Sequence, residues 1–187
     1  QNKKNPSEAF TLVEVMVSLM IFSLTSVGLT SFFLQNLRQA TWQTRNVQIT
    51  NTTFSIADQI KNMGSDTIWK IYQSADSPSP INIPVNIIDP SDSVDGYKTV
   101  PLLVNEKDNT IVNPGWNIAT IKLDRIATSP ATPVNYWVTI RHNVSTTAPI
   151  HDVLELTLIS RWSLGDKKIM VLNQLQLTFP AVNCRFK

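Results

Sequence analysis

The stretch SEAFTLVEVMVSLMIF, Ser7 to Phe22, decides how the chain begins, because it places one carboxylate, Glu14, at the start of a long apolar run. From Val15 to Leu37, 23 residues, no side chain carries a charge. As a helix this run is about 34 Å long, enough to cross a hydrocarbon core of ~30 Å. Its serines and threonines are tolerated in lipid, because their hydroxyls can bond back to carbonyl groups one turn earlier. The sequence therefore predicts a membrane-spanning helix with a carboxylate near its start.

Three interpretations of this N-terminal segment compete. A cleavable secretory signal would use Lys3 and Lys4 as its positive region and would be cut after the small-x-small sequence Ser26–Gly28. A carboxylate early in the apolar region disfavours such a signal. A permanent membrane anchor would keep Lys3 and Lys4 in the cytoplasm by the positive-inside rule, but it gives Glu14 no role. The third interpretation depends on the order of the residues around Glu14.

The order F-T-L-V-E-V, starting at Phe10 and followed by the uncharged run, resembles the N-terminal signature of type IV pilins and of the pseudopilins of type II secretion. The resemblance implies that a basic leader, residues 1–9, is removed by a prepilin peptidase between Ala9 and Phe10, and that Phe10 is then N-methylated. It also implies that Phe10, Thr11 and Glu14 act in filament assembly. In that family the glutamate pairs with the terminal amine of a neighbouring subunit.

This pairing has a physical basis. Cleavage before Phe10 creates an α-amino group, which is largely cationic at neutral pH. Glu14 lies four residues later, near the positive end of the helix dipole, where its charge is favoured. Inside a filament an unpaired carboxylate would be very costly, and a neighbouring cation offsets that cost. Glu14 is therefore predicted to be an assembly residue.

Two features depart from the family pattern. The residue before the cut is usually glycine, and here it is Ala9, which is also small. Many major pilins carry a proline in the apolar run, whereas none occurs between Phe10 and Met63. The second feature favours a minor subunit or a pseudopilin.

The whole chain predicts an α+β fold, a long N-terminal helix packed on a C-terminal antiparallel sheet. The helix is expected over residues 10–63, with its transmembrane part at about 10–37 and Gly64 as its end cap. Residues 64–118, rich in proline, serine and aspartate, predict acidic loops with short extended pieces. Residues 119–187 predict the sheet of the head. The helix is expected to pack on this head through positions of helical spacing, namely Leu37, Ala40, Thr44, Val47, Phe54 and Ala57, with Ile60 and Met63 close by.

Apolar and polar residues alternate along three segments of the predicted head, at 134–141, 154–162 and 169–179. A period of two is typical of strands with one buried face. SLGDKK, Ser163 to Lys168, predicts a hairpin turn between the last two strands, and a weaker strand is expected over 119–126. This arrangement loosely resembles the heads of I-type or V-type minor pseudopilins.

No catalytic or cofactor motif can be recognised, so neither an enzyme nor a cofactor is predicted. His142, His151 and Asp152 could be imagined as zinc ligands, but two histidines nine residues apart on different elements more often have core or turn roles. Cys184 is the single cysteine, which excludes an intrachain disulfide.

Asp89, Asp92 and Asp95 are candidate calcium ligands, because some pseudopilins bind calcium in a loop of the head. Their spacing is not that of an EF-hand, and turn formation explains them more simply. No metal site is therefore predicted.

The predicted function is structural, a minor pilin or pseudopilin of a type IV pilus-like or type II secretion filament. We expect the leader in the bacterial cytoplasm, the helix in the inner membrane and the head in the periplasm, followed by a periplasmic or surface filament. The expected partners are other subunits, the prepilin peptidase, the inner-membrane assembly platform and lipid. An alternative is a filament-tip module for DNA uptake or adhesion, since residues 119–187 carry eight basic and four acidic residues.

The cleavage site can be tested by mass spectrometry of the mature N-terminus in native membranes. We expect N-methylated Phe10 in the wild type and an intact leader in Ala9→Lys, because a large charged side chain replaces the small residue before the cut. Ala9→Gly is the matched control and should be processed like the wild type. A wild-type terminus just after Gly28 would identify a secretory signal instead, and an unprocessed wild type would identify a permanent anchor.

Overall fold

The computed structural model describes residues 11–88, 96–121, 132–144, 152–164 and 167–181. The chain divides into two compact units, and the boundary between them lies between Thr44 and Arg45. The elements are α1 (Leu12–Asn62), α2 (Ser65–Ser74), β1 (Ile83–Ile88), β2 (Tyr97–Leu102), β3 (Glu106–Lys107), β4 (Thr110–Ile111), β5 (Asn117–Ile121), β6 (Thr132–Val144), β7 (Asp152–Leu164) and β8 (Lys167–Pro180).

The first unit contains the N-terminal part of α1, and its apolar side chains are exposed. This part of the helix is long and apolar enough to cross a membrane, as the sequence predicts. Its hydroxyls bond back along the helix as expected: Ser23 donates to the carbonyl of Leu19 at 2.8 Å, and Thr30 donates to that of Ser26 at 2.8 Å. The hydroxyls of Ser23, Thr25 and Thr30 are thus satisfied within the helix, without water.

In the second unit α1 is buried through one stripe of residues, Ile49, Thr53, Ile56, Ala57 and Ile60. Their spacing of three to four residues places them on one side of the helix. The predicted contact face was therefore wrong in part. Ala57 and Ile60 are buried, but Val47 and Phe54 of the same unit are exposed.

The reason for this error is that α1 carries two apolar stripes. Val47 and Phe54 each precede a buried isoleucine by two residues, and two residues turn a helix by about 200°. The two stripes therefore lie on opposite sides of the same helix. Helical spacing alone could not decide between them, whereas packing in the head buries the isoleucines.

Gly64 separates the two helices. It has a φ of 82°, a conformation that glycine adopts readily, and α1 ends at Asn62, one residue before the predicted end at residue 63. Its carbonyl accepts the amide of Ile68 at 3.3 Å and so joins the first turn of α2. Sequence analysis expected loops here and missed α2. The helical spacing of Ile68, Ile71 and Ala75, which are all buried, was the signal available.

The extended pieces of the loop-rich region form a small antiparallel sheet. β1 and β2 pair from Ile83↔Leu102 to Ile88↔Tyr97, and Ile83, Val85 and Ile87 are buried. The side chain of Gln59 holds β1 beside α1, because it donates to the carbonyl of Asn86 at 2.8 Å and accepts the Asn86 amide at 2.7 Å.

The large sheet has the order β4-β3-β6-β7-β8, and β5 also pairs with β6. All of these pairings are antiparallel except β3 with β6, so the predicted antiparallel head is in fact a mixed sheet. The strands expected at 134–141 and 154–162 are confirmed within β6 and β7. β7 pairs with β8 up to Leu164↔Lys167, on either side of the predicted hairpin turn, whose residues 165 and 166 lie outside the described part. The weaker strand expected at 119–126 starts earlier, at Asn117; residues 122–126 lie outside the described part.

One face of this sheet forms the core of the head. The buried residues follow the predicted alternation: Val134, Tyr136, Val138 and Ile140 on β6, and Leu154, Leu156, Leu158 and Trp162 on β7. Thr53 of α1 donates to the hydroxyl of Ser160 on β7 at 3.1 Å. The Thr53 hydroxyl also bonds to the carbonyl of Ile49 at 2.9 Å, so both buried hydroxyls between helix and sheet have a partner.

The two stripes of α1 can be distinguished by a pair of alanine substitutions. Ile49→Ala should lower the free energy of unfolding of the head by about 2–5 kcal/mol, because Ile49 is fully buried. Val47→Ala, two residues away, should change it by less than about 0.5 kcal/mol, because Val47 is 56% exposed. Denaturant unfolding of both proteins in the same detergent measures the difference. The reverse order of effects would mean that the opposite stripe faces the head.

Candidate functional site

Thr11 and Glu14, two of the predicted assembly residues, lie at the first turn of α1. Ala9 and Phe10, the predicted cleavage residues, lie outside the described residues. Thr11 immediately precedes the helix and therefore occupies its N-cap position, and Glu14 is the third helical residue.

These two residues form a reciprocal helix cap. The Glu14 amide donates to Thr11 Oγ1 at 3.3 Å, and the Thr11 amide donates to Glu14 Oε2 at 3.0 Å. The Thr11 hydroxyl donates to the same carboxylate oxygen at 3.0 Å. This is the capping box of the pattern Ser/Thr-x-x-Glu. The pattern Thr11-x-x-Glu14 is visible in the sequence, but the predicted assembly role of Glu14 did not include this cap.

The cap engages only one oxygen of the Glu14 carboxylate. Both hydrogen bonds from Thr11 end on Oε2, and within the described residues Oε1 accepts none. The side chain is exposed. Glu14 can therefore cap its own helix and still offer an anionic oxygen to a cation from elsewhere.

The helix surface on both sides of Glu14 has no protein cover among the described residues of the first unit. The large apolar side chains there are between 47% and 79% exposed. They are Leu12, Val13, Val15, Met16, Val17, Leu19, Met20, Ile21, Phe22, Leu24, Val27, Leu29, Phe32, Phe33, Leu34 and Leu37. So large an apolar surface requires lipid or other apolar helices around it.

His142 lies among aromatic rings at the end of β6. Its ring centroid is 5.2 Å from that of Trp69 and 5.8 Å from that of Tyr72, both on α2. Its Nε2 lies 3.7 Å from Asp152 Oδ1, which is too long for a good hydrogen bond. Within the described ranges, no group of three or more histidine, cysteine or acidic side chains could hold a metal ion.

The remaining candidate ligands cannot be placed. His151, Cys184 and the three aspartates considered for calcium, Asp89, Asp92 and Asp95, lie outside the described residues. His142, by contrast, packs against Trp69 and Tyr72 and so joins α2 to the sheet.

Tyr72 and Asp108 form the polar part of this contact. The Tyr72 hydroxyl donates to Asp108 Oδ2 at 2.5 Å, and the His142 amide donates to Asp108 Oδ1 at 2.7 Å. Asp108 and Asn109 have φ values of 47° and 67° in the turn between β3 and β4, a conformation that these two residue types tolerate. One carboxylate thus links α2, the β3–β4 turn and β6.

Lys107 completes the contact. Its Nζ lies 3.1 Å from Asp76 Oδ1 and 4.5 Å from the centre of the Tyr72 ring. The hydrogen bond from Lys107 lowers the pKa of Asp76. These residues are ion-paired or hydrogen-bonded to one another, as in a structural contact, and no nucleophile with an adjacent base is present among them.

Trp137, which alternates with the buried residues of β6, contacts another tryptophan. The Trp116 and Trp137 rings lie 5.2 Å apart on the face of the sheet opposite α1, and the Arg161 guanidinium lies 3.6 Å from the centre of the Trp116 ring. Such a cation–π contact contributes roughly 0.5–1 kcal/mol at a surface. Sequence analysis missed Trp116, because it lies in an irregular segment before β5.

A family model described as the prokaryotic N-terminal methylation motif matches residues 4–30. The comparisons with curated proteins and with solved structures gave no significant match. The chain therefore carries the N-terminal motif typical of type IV pilins and pseudopilins, and its long helix followed by a mixed sheet is a pilin-like α+β arrangement.

The matched motif supports a pilin- or pseudopilin-like protein and suggests a structural role. It implies association with other pilin subunits and with a prepilin peptidase. Together with the apolar helix, it is consistent with membrane anchoring followed by filament assembly.

The Tyr72–Asp108 bond predicts how the head responds to alkali. Burial, then the hydrogen bond to Asp108 and the charges of Asp108 and Asp76, raise the pKa of Tyr72 from 10.0 to about 12. Because the pKa of Tyr72 is higher in the folded state, the protonated hydroxyl stabilises the folded head. This contribution to the free energy of unfolding is complete below about pH 10 and is lost as the pH rises through about 12.

The phenolate absorbance of the wild type and of Tyr72→Phe is measured as the pH is raised, and the difference between the two should follow the titration of Tyr72. Asp108→Asn should lower the midpoint toward 10 without fully reaching it, because burial remains. Asp66→Asn, a change of an exposed residue of the same helix, is the control. An unchanged midpoint in Asp108→Asn would contradict the assigned hydrogen bond.

Proposed function

We propose that the protein is a minor pilin or pseudopilin, processed between Ala9 and Phe10, N-methylated at Phe10 and assembled into a filament from the inner membrane. One observation carries this proposal. Glu14 caps an exposed apolar helix through one carboxylate oxygen, and within the described residues its other oxygen accepts no hydrogen bond. The matched methylation motif supports the same conclusion.

The cap explains how a carboxylate is tolerated while the subunit waits in the membrane. Glu14 lies about 6 Å inside the start of the chain at Phe10, close enough for its carboxylate to remain near the lipid–water interface. Its bonds to the Thr11 amide and hydroxyl replace water around Oε2. The positive end of the helix dipole also favours the charge. Each of these interactions lowers the cost of placing Glu14 at the membrane surface.

The free oxygen explains how the same residue would act in a filament. When apolar helices pack together, Glu14 leaves water, and a buried charge without a partner is strongly destabilising. The terminal amine of Phe10 in a neighbouring subunit would supply the required cation. Only one axial position brings the amine to Oε1, so the pairing would set the register between subunits.

The proposed cleavage is compatible with the cap. Phe10 becomes the first residue after processing, and Thr11 keeps its amide proton because it stays inside the chain. The amide and hydroxyl that bond to Glu14 are therefore present in the processed subunit. The cap can persist from membrane to filament.

A tip module that binds DNA has less support. Of the arginines with described side chains in the C-terminal third, Arg141 lies 3.4 Å from Glu106, and Arg161 stacks on Trp116. Neither forms part of a basic groove, which binding to a phosphate backbone requires. The structural role is therefore the function that we propose.

Glu14→Gln separates the charge of Glu14 from its capping role. Glutamine also completes a capping box, so the helix should start as in the wild type, but glutamine cannot pair with an amine. We expect normal cleavage, methylation and membrane insertion, with incorporation into filaments reduced by more than about tenfold. Mass spectrometry of membranes and quantification of the subunit in sheared filaments measure the two steps.

Thr11→Ser is the matched control, because serine retains both the amide and the hydroxyl that reach Glu14. It should be incorporated at the wild-type level. Wild-type incorporation of Glu14→Gln would refute the charge-pairing role, whereas failure of processing in the wild type would refute the filament pathway as a whole.

A further inference from the structure

Strand β8, Lys167–Pro180, forms one border of the large sheet. It pairs with β7 on one side, and within the described residues no strand pairs with its other side. At 14 residues it is far longer than β4, the two-residue strand at the opposite end of the strand order. A long border strand presents a row of backbone groups without partners.

The hydrogen-bond pattern identifies which groups face outward. The Ala181 amide donates to the carbonyl of Asp152 at 2.8 Å, just beyond the last pair, Val153↔Pro180. In antiparallel pairing, alternate residues bond to the same neighbour. Residues 175, 177 and 179 therefore bond to β7. The amides and carbonyls of Leu172, Gln174, Gln176 and Thr178 point to the open edge.

The sequence of β8 lacks the usual protection of such an edge. From Ile169 to Phe179 there is no charged residue, proline or glycine. Natural sheets block open edges with lysines, prolines, bulges or short strands, because another extended chain can otherwise pair with them. On β8 the lysines and the proline lie only at the two ends. Ten or so residues in between remain competent to pair.

The apolar face of the sheet is also incompletely covered at this border. Leu156 and Leu158 on β7 are fully buried, whereas their partners on β8, Leu177 and Leu175, are partly exposed. On the opposite face Leu172 is 61% exposed. One further strand beside β8 would bury more of Leu175 and Leu177 and would bond to the outward amides.

We infer that the β8 edge is a docking site for an extended segment of a different protein, which adds to the large sheet as a strand. The backbone groups select an extended chain, and Leu175 and Leu177 select apolar side chains at alternate positions of that chain. The docking site itself concerns only the head and does not involve Glu14, whereas the choice of a different protein as its occupant rests on the proposed membrane and filament assembly.

A second copy of the chain is a poorer occupant. Two β8 strands pair antiparallel about a two-fold axis perpendicular to the sheet. The α1 segment that packs on the sheet would then run in opposite directions in the two copies. Two subunits held in one membrane or one filament need these helices in the same direction. A strand from another protein has no such restriction.

The test uses the full chain in detergent micelles and, as the probe, a capped peptide of about eight alternating valines and threonines. Amide hydrogen exchange is measured residue by residue with and without the peptide. Exchange at Gln174, Gln176 and Thr178 should slow by about tenfold or more. Exchange at Leu175 and Leu177 should hardly change, because these amides already bond to β7. Equal slowing at both sets, or none at Gln174, Gln176 and Thr178, would overturn the inference.

Two controls remove the backbone donors in turn. A peptide with proline at alternate positions should bind at least about tenfold more weakly than the alternating one. Gln176→Pro should weaken binding of the original peptide similarly, whereas Gln176→Ala should not. If Gln176→Pro fails to fold, the proline peptide still decides. A last control raises the protein concentration without any peptide. If exchange then slows at Gln174, Gln176 and Thr178, a second copy of the chain occupies the edge, and the assignment to a different protein is overturned.

Discussion

The structure depends on how one helix meets two environments. Among the described residues of the first unit, α1 carries large apolar side chains without protein cover, and in the second unit a stripe of isoleucines on the same helix is buried in the head. The hydrophobic effect drives both: the bare part must leave water for lipid or other helices, and the isoleucine stripe leaves water when the head folds. Hydrogen bonds from the hydroxyls of Ser23 and Thr30 to carbonyls one turn earlier lower the cost of moving these polar groups out of water.

Glu14 connects this local chemistry with assembly. An ionised carboxylate at the start of an apolar run would be destabilising if it lacked hydrogen-bond or ion-pair partners. The capping box with Thr11 supplies them at the start of the helix, and it occupies a single oxygen. The same side chain can therefore serve the helix of its own subunit and a cation from another subunit. Local capping and assembly need not compete for it.

The head combines a well-packed core with an open border. Its interior is closed by the alternating residues of β6 and β7 and by the Thr53–Ser160 bond to α1. At one end of the sheet, α2 is held by Tyr72, Asp108 and the rings around His142. At β8 the apolar face and the backbone ladder both stop without a covering element among the described residues. The stable interior provides a rigid frame, and β8 is the part of that frame most suited to receiving another chain.

The sequence by itself determined the features that depend on neighbouring residues. The uncharged run after Glu14 implied a membrane helix, Gly64 implied its end, and alternation implied β6 and β7, because helices and strands have characteristic periods. The motif around Phe10 likewise implied the pilin-like class. Each of these signals lies within a short window of the chain.

Only the tertiary structure decided the features that depend on distant residues. It selected the stripe of Ile49 and Ile56 over that of Val47 and Phe54, since both have helical spacing and only contact with the sheet distinguishes them. It placed Trp116 beside Trp137 and Arg161, and it paired β3 in parallel with β6, although these residues are far apart in sequence. It also left β8 at the border. Strand order follows from the packing of the whole head, and no local pattern encodes it.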